Sequence, residues 1–301
     1  MKVLVAGASG AVGRPLVRRL EQSGHEVIAA SRSSASAPMD ALDAGSVDEA
    51  VGAARPEVIV NQLTAIPDPI DPRRMEKQFE PTNRLRREGT ANLIAAAKAH
   101  GVRRMVSQSI AFAYAPTGHG AWTEEDRLFS EAGEIIRAVE ALEQQTLAAE
   151  GVEGVVLRYG FFYGPGTTYA PDGGTALAVR KRQFPIIGKG TGVFCFIHVD
   201  DAAAATVAAV ERGAPGIYNI VDDVPHRFAS TCPRSPRCSE RSGPSACRSS
   251  SGGWRPAAWS STTQRHCSRR RTRRRSASLA GSPAGPAGAR ASARPWVRSS
   301  P

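Results

Sequence analysis

Lysine is scarce in this chain. There are five in 301 residues (Lys2, Lys77, Lys98, Lys181 and Lys189), with none between positions 99 and 180. Cysteine is scarce too, and four of the five (Cys232, Cys238, Cys247 and Cys267) stand after Pro225. No CxxC pair occurs, so neither a zinc site nor a disulfide framework is expected. The fifth, Cys195, lies in VFCFI and reads as a small buried hydrophobe. No apolar run is long enough to span a bilayer. The first residues are a strand entering a glycine turn rather than a secretory leader. A cytoplasmic protein with no metal site is expected.

Aliphatic residues all but vanish after Pro225. In the last 76 residues only Leu279 and Val297 are Leu, Ile or Val, too few to build a core. That stretch carries sixteen Arg, no Lys and one acid, Glu240. It therefore supplies more than the whole formal net charge of +11, and residues 1–225 are left mildly acidic. The organisation expected is a body over 1–225 and a disordered Arg/Ser/Pro-rich tail over 226–301. RRRTRRR (269–275) could neutralise nucleic-acid phosphates. The competing reading is an off-frame translation of GC-rich DNA. Restoring one base near Pro225 can turn the tail into an amphipathic helix pattern followed by KRELGWQPGGPSWR. On that reading the arginine run carries no selected function, and no nucleic-acid partner is expected of the body.

What is present is concentrated at the beginning. Val3 to Ala6 form an apolar run that reads as a strand buried on both faces. Gly7, Gly10 and Gly13 follow at three-residue spacing, then an amphipathic helix with Val12, Leu16 and Leu20 on one face. Pro15 sits in the first turn, where its missing N–H costs nothing. Gly24 closes the helix and HEVIAA opens a second strand. In this context the first glycine lets the chain turn, the second lets backbone approach a diphosphate, and the third lets the helix pack close to the sheet. The helix N-terminus then offers free N–H groups to phosphate oxygens. Gly7, Ser9, Gly10, Ala11, Val12 and Gly13 are thus the candidate dinucleotide loop.

After the second strand stand Ser31, Arg32 and Ser33, where folds selecting NAD carry an acid for the ribose hydroxyls. Arg32 can pair with a 2′-phosphate, which favours NADP, with NAD left open; the alternative is an ordinary surface arginine. Asp40 is placed to reach the adenine. The loop is short, so the second crossover helix is expected to be truncated, starting near Asp48. EVIVNQLTA (57–65) reads as the next buried strand, with Gln62, Leu63 and Thr64 at the carboxyl end where ligands sit in open parallel sheets. A long helix is expected over about 82–100, a strand through VSQSIAFAY, a helix over 134–150, and further strands at GVVLRYGFFY, VFCFI and GIYNI. Strands alternating with helices predict an α/β doubly wound parallel sheet.

GASGAVG, NRLRREGTAN, VSQSIAFAY, LRYGFFYGPG, FIHVDD and GIYNI, in this order over residues 1 to about 225, resemble the extended short-chain dehydrogenase/reductase family of the NAD-dependent epimerase/dehydratase type. The resemblance implies a Rossmann-type fold, a nicotinamide cofactor, a small-molecule substrate and an oxidoreductase activity; a homodimer is left open. It also implies Tyr-x-x-x-Lys on the helix beginning near Glu134. That pair is missing. Aligning Glu143-Gln144 with the family's downstream Glu puts Ile135 and Val139 in its place. A tyrosine without the lysine keeps its proton near neutral pH, which disfavours alcohol oxidation and favours NADPH-linked reduction of a small carbonyl substrate. Ser109 matches the family's active-site serine, or is a hydroxyl satisfied at a strand end. Tyr114 matches a wall residue, with a catalytic role as the other option. Tyr163 lies where the family's chain passes the nicotinamide, or packs. A non-catalytic NADP(H)-binding sensor is the alternative function. His198, Asp200 and Asp201 read as structural, the acids capping a helix.

Overall fold

The alternation of buried strands and amphipathic helices is realised as a six-stranded parallel sheet in the order β2-β1-β3-β4-β5-β9. The computed structural model describes residues 1–68, 70–71, 73–116, 122–181, 193–223 and 226–227. The tail from position 228, with its arginine run and four cysteines, lies outside the described residues. The strands are β1 (Lys2–Ala6), β2 (Glu26–Ala30), β3 (Val58–Asn61), β4 (Arg104–Ile110), β5 (Glu153–Tyr159) and β9 (Gly216–Ile220), and every pairing is parallel. Val3–Ala6 of β1, Val58–Val60 of β3 and Val155–Leu157 of β5 are apolar runs because helices cover both faces, whereas β4 carries Arg104, Ser107, Gln108 and Ser109.

One face packs on α1 (Gly13–Gln22) and α7 (Val199–Arg212), through Val3, Val5, Leu16, Leu20, Ala203 and Val207. The other packs on α2 (Ala44–Ala54) and α4 (Thr90–Ala99), through Leu4, Ala6, Val47, Val51, Leu93 and Ile94. Leu16 and Leu20 are wholly buried, each contributing about 1.5–3 kcal/mol of burial. α5 (Glu134–Leu147) continues this second layer over β4 and β5. Within it Ile136, Val139 and Leu142 are buried, Ile135 is half-buried, and Leu147 is exposed.

The crossover helix α2 is not truncated. It starts at Ala44 because the Asp43 carboxylate accepts from the N–H groups of Gly45 and Ser46 (2.8 and 3.1 Å), a cap that supplies the missing first-turn partners. The helix expected from position 82 begins earlier, as α3 (Met75–Arg84). It continues through a π-helical turn (Leu85–Gly89) into α4.

A second, smaller layer sits beyond the carboxyl ends of the strands. β6 (Phe161–Tyr163) pairs with β8 (Phe196–His198), and β7 (Val193–Phe194) pairs antiparallel with β10 (His226–Arg227). β10 lies at the expected boundary, just after position 225. Gly160 separates β5 from β6. A Cβ there would lie 2.6 Å from the Cys195 carbonyl oxygen, so only glycine permits the approach. Cys195 is buried as expected, though as half of a disulfide rather than a free thiol. α6 (Gly174–Arg180) lies between β6 and β7 in the chain; among the described residues no helix is long and apolar enough to cross a membrane, and no cluster of ligating side chains is placed to hold a metal.

Candidate active site

The glycine turn joins β1 to α1 at the carboxyl edge of the sheet. Gly7 has φ +89°, a conformation costly for any residue with a Cβ. A side chain there would also meet the Gln62 carbonyl oxygen at 2.7 Å. At Gly13 a Cβ would come within 2.3 Å of the Gly7 carbonyl oxygen. Two of the three glycines are therefore required by close approach, and the turn is pressed against the exit of β3. No side chain caps α1 at Val12; the Arg14 N–H donates to the Gly10 carbonyl oxygen (3.1 Å), which leaves the Gly13 N–H at the head of the helix for an anion. Arg14 Nε donates to the Ser9 carbonyl oxygen (2.8 Å), pinning the turn. The turn fits a dinucleotide: the backbone N–H groups of Ala11, Val12 and Gly13 could hold its diphosphate, whereas the Gly10 N–H closes the turn on the Gly7 carbonyl oxygen (3.1 Å).

Beside the turn, Gln62 is buried against the Tyr159 hydroxyl, Leu63 is half-buried and Thr64 is exposed. Arg32 is exposed on a loop that folds back, with Met39 N–H donating to the Ser31 carbonyl at 3.1 Å. Asp40 is exposed, and its carboxylate accepts from the Leu42 N–H (3.0 Å).

The three residues singled out for chemistry are not brought together as a triad. Ser109 Oγ donates to Glu143 Oε1 at 2.5 Å. Glu143 is held in turn by Arg158 through Nε (2.9 Å) and Nη2 (2.6 Å). The Arg158 guanidinium lies 4.8 Å from the Tyr114 ring centroid, and the Tyr114 hydroxyl donates to Asn219 Oδ1 at 2.6 Å. Ser109, Glu143, Arg158 and Tyr114 are all buried. Burial opposes charge on Arg158, but the Glu143 carboxylate more than offsets it and its pKa rises. Burial pushes the Tyr114 hydroxyl up to about 12. The network therefore commits both hydroxyls to a charged strut joining β4, β5, β9 and α5.

Tyr163 stands apart from this network. It is 36 % exposed and its ring meets that of His198 edge-on at 5.1 Å. Desolvation, with Asp222 and Asp201 adding to it, raises its pKa. His198 caps α7, Nδ1 accepting from the Asp200 N–H at 3.2 Å.

Two features escape the linear reading. The first is an aromatic cluster beyond β4 and β5. Phe112 stacks on Phe161 (3.9 Å between centroids, 8° between planes), which also meets Phe194, Phe196 and Tyr169 at 5.2–6.3 Å. The signal was available: FAY, GFFYGPGTTY and VFCF hold most of the body's aromatic residues. The second is Arg86, a buried cation on the π-helical turn that nothing in its local sequence sets apart from Arg84 and Arg87.

The family model for NAD-dependent epimerase/dehydratases matches residues 3–221. This chain belongs to that family. A 3-diazoavenalumate denitrifying reductase from a Streptomyces species is 47 % identical over 253 residues, covering 79 % of this chain and 81 % of the relative. A 2-alkyl-3-oxoalkanoate reductase from Stenotrophomonas maltophilia is 28 % identical over 228 residues, covering 72 % and 67 %. The structure of Thermus thermophilus UDP-glucose 4-epimerase with NAD shares the fold, with TM-score 0.62, 22 % identity, and 77 % and 81 % of the two chains covered. The family member described here is an oxidoreductase-type enzyme with a nicotinamide cofactor. Within that family its α5 is atypical: half-buried Ile135 and buried Val139 offer no proton and no cation.

Proposed function

We propose that this enzyme is an NADPH-linked reductase that places hydride on a flat aromatic carboxylic acid, at a carbon whose substituent leaves without needing a proton. The observation that carries this reading is the apolar pair Ile135 and Val139 together with the committed Tyr114 hydroxyl. Carbonyl reduction needs a proton on the developing alkoxide. Replacement of a diazonium group does not. A nicotinamide held at the glycine turn would supply the hydride; the ring carbon would gain the C–H bond as the C–N bond breaks, its electron pair leaving with neutral dinitrogen. The name of the Streptomyces relative, a denitrifying reductase of a diazo acid, supports this acceptor class. Family membership favours catalysis over a pure sensing role.

The chain's own residues bind, orient and shield. Gly7, Gly10 and Gly13 shape the diphosphate cradle. Arg32, with no neighbouring carboxylate in Ser31–Ser33, selects the 2′-phosphate of NADPH over NADH. The half-buried rings of Phe112, Phe161 and Tyr169 offer stacking surfaces for a planar substrate and exclude water from the reacting carbon. Ser109 and Tyr114 hold the floor of the site in place.

A second reading, reduction of a small carbonyl compound, is favoured by one observation: Tyr163 is a protonated, exposed phenol beside His198. Incubation with an arenediazonium carboxylate and NADPH deuterated at the transferring position decides between them. Dinitrogen release with deuterium on the ring carbon is expected. Turnover of ketones alone, abolished by Tyr163→Phe, would overturn the proposal in favour of the second reading.

A further inference from the structure

Arg86 is 5 % exposed and lies on the π-helical turn between α3 and α4. Its Nη1 is buried without a hydrogen-bond partner, and no ion pair with it exists among the described residues. Its pKa is lowered to about 10, and burial is the whole cause. It therefore stays cationic at neutral pH, in a place where charge is disfavoured and nothing offsets the cost. Neighbouring arginines behave otherwise: Arg84 pairs with Glu88 at 2.7 Å, and Arg87 pairs with Glu134.

The surroundings place this cation. Thr82, Arg86 and Thr90 follow at four-residue spacing and are all buried, so they lie on the inward side of the helix. Thr82 Oγ1 accepts from the Ala65 N–H (3.0 Å), and Thr90 Oγ1 accepts from Asn61 Nδ2 (3.1 Å). Arg86 therefore faces the exit of β3, the stretch that also abuts the glycine turn. On its other side, the Arg87–Glu134 pair sets this turn level with the first turn of α5, where Ile135 stands. A π-helical turn is the kind of interruption that redirects side chains at functional sites.

We propose that Arg86 is a substrate-binding residue, its guanidinium receiving the carboxylate of the acid whose reduction is proposed above. The inference rests on that reading for the identity of the ligand. The chemistry it demands is an anionic oxygen group, and a guanidinium binds carboxylate through paired N–H donors. The cofactor's phosphates are the other source of such oxygens, but the glycine turn and Arg32 already provide for them.

Binding, rather than turnover, tests this. The full chain saturated with NADP+ is titrated calorimetrically with 4-hydroxycinnamate and with its methyl ester. The acid is expected to bind roughly 10- to 100-fold more tightly than the ester. Arg86→Met is expected to erase the difference, Arg86→Lys to keep part of it, and neither to change the affinity for NADPH. Equal binding of acid and ester by the unaltered protein overturns the proposal, and that comparison needs no variant to fold. A loss of NADPH affinity in Arg86→Met, with acid and ester still distinguished, also overturns it and assigns the cation to the cofactor. If acid and ester are distinguished while no diazonium is reduced, the proposed reaction fails and the role of Arg86 stands.

Discussion

At the scale of single residues, the site turns on how hydroxyls and charges are partnered. Ser109 and Tyr114 were legible as candidates because they sit at the carboxyl end of a strand, beside the expected cofactor. Their partners were not legible: Glu143 lies 34 positions from Ser109, and Asn219 lies 105 from Tyr114. Removing Glu143 leaves Arg158 buried and uncompensated. Glu143→Ala is therefore expected to destabilise the fold by roughly 3–5 kcal/mol, read as a lowered denaturation midpoint. Adding Arg158→Leu should recover part of that loss, because the orphaned charge goes with it. Arg32 belongs to the same scale. Arg32→Ala is expected to weaken NADPH binding about tenfold, or about 1.4 kcal/mol, and to leave NADH binding unchanged. Fluorescence titration with both reduced cofactors checks it, and equal losses for the two would remove the 2′-phosphate contact.

At the scale of elements, the β1–turn–α1 unit was the most legible part of the chain, since glycine spacing, strand and helix all lie within 22 residues. The cap at Asp43 was missed because the spacing to Gly45 and Ser46 is a local hydrogen-bond signal that hydrophobic periodicity does not carry. The helix interruption at Leu85–Gly89 was missed for the same reason: apolar spacing over 82–100 fits a continuous helix. The small layer that carries Tyr169 and Phe196 depends on long-range pairing of β6 with β8, which no local pattern fixes. Packing in these elements has a titration signature. Burial raises the hydroxyls of Tyr114, Tyr159 and Tyr169 to about 12, against about 10 in the unfolded chain. Between those values the unfolded state holds fewer protons than the folded one. Stability from these residues is thus complete below pH 10 and is lost as pH rises toward 12. Ultraviolet titration of phenolate should show most of the tyrosines ionising late and together with unfolding. Early, independent ionisation of Tyr114, Tyr159 and Tyr169 would contradict their burial.

At the scale of the whole molecule, the body and the tail obey different rules. The family match ends at Val221, close to where aliphatic residues disappear from the sequence. We propose that the tail from about position 226 is off-frame, so that RRRTRRR has no selected role. Resequencing the gene is expected to find a lost base near the codon for Pro225. Restoring it is expected to raise the denaturation midpoint. An intact frame, with amides protected from hydrogen exchange across the tail, would refute this.

The proposed reaction delivers hydride at a site that supplies no proton. A single-turnover measurement of the reductive step with an arenediazonium carboxylate, run in light and in heavy water across the range of pH where the protein is folded, tests it most directly. The rate is expected to be the same in both solvents, flat with pH, and unchanged by Tyr163→Phe. A rate that slows in heavy water, follows one ionisation, and falls with Tyr163→Phe would contradict it.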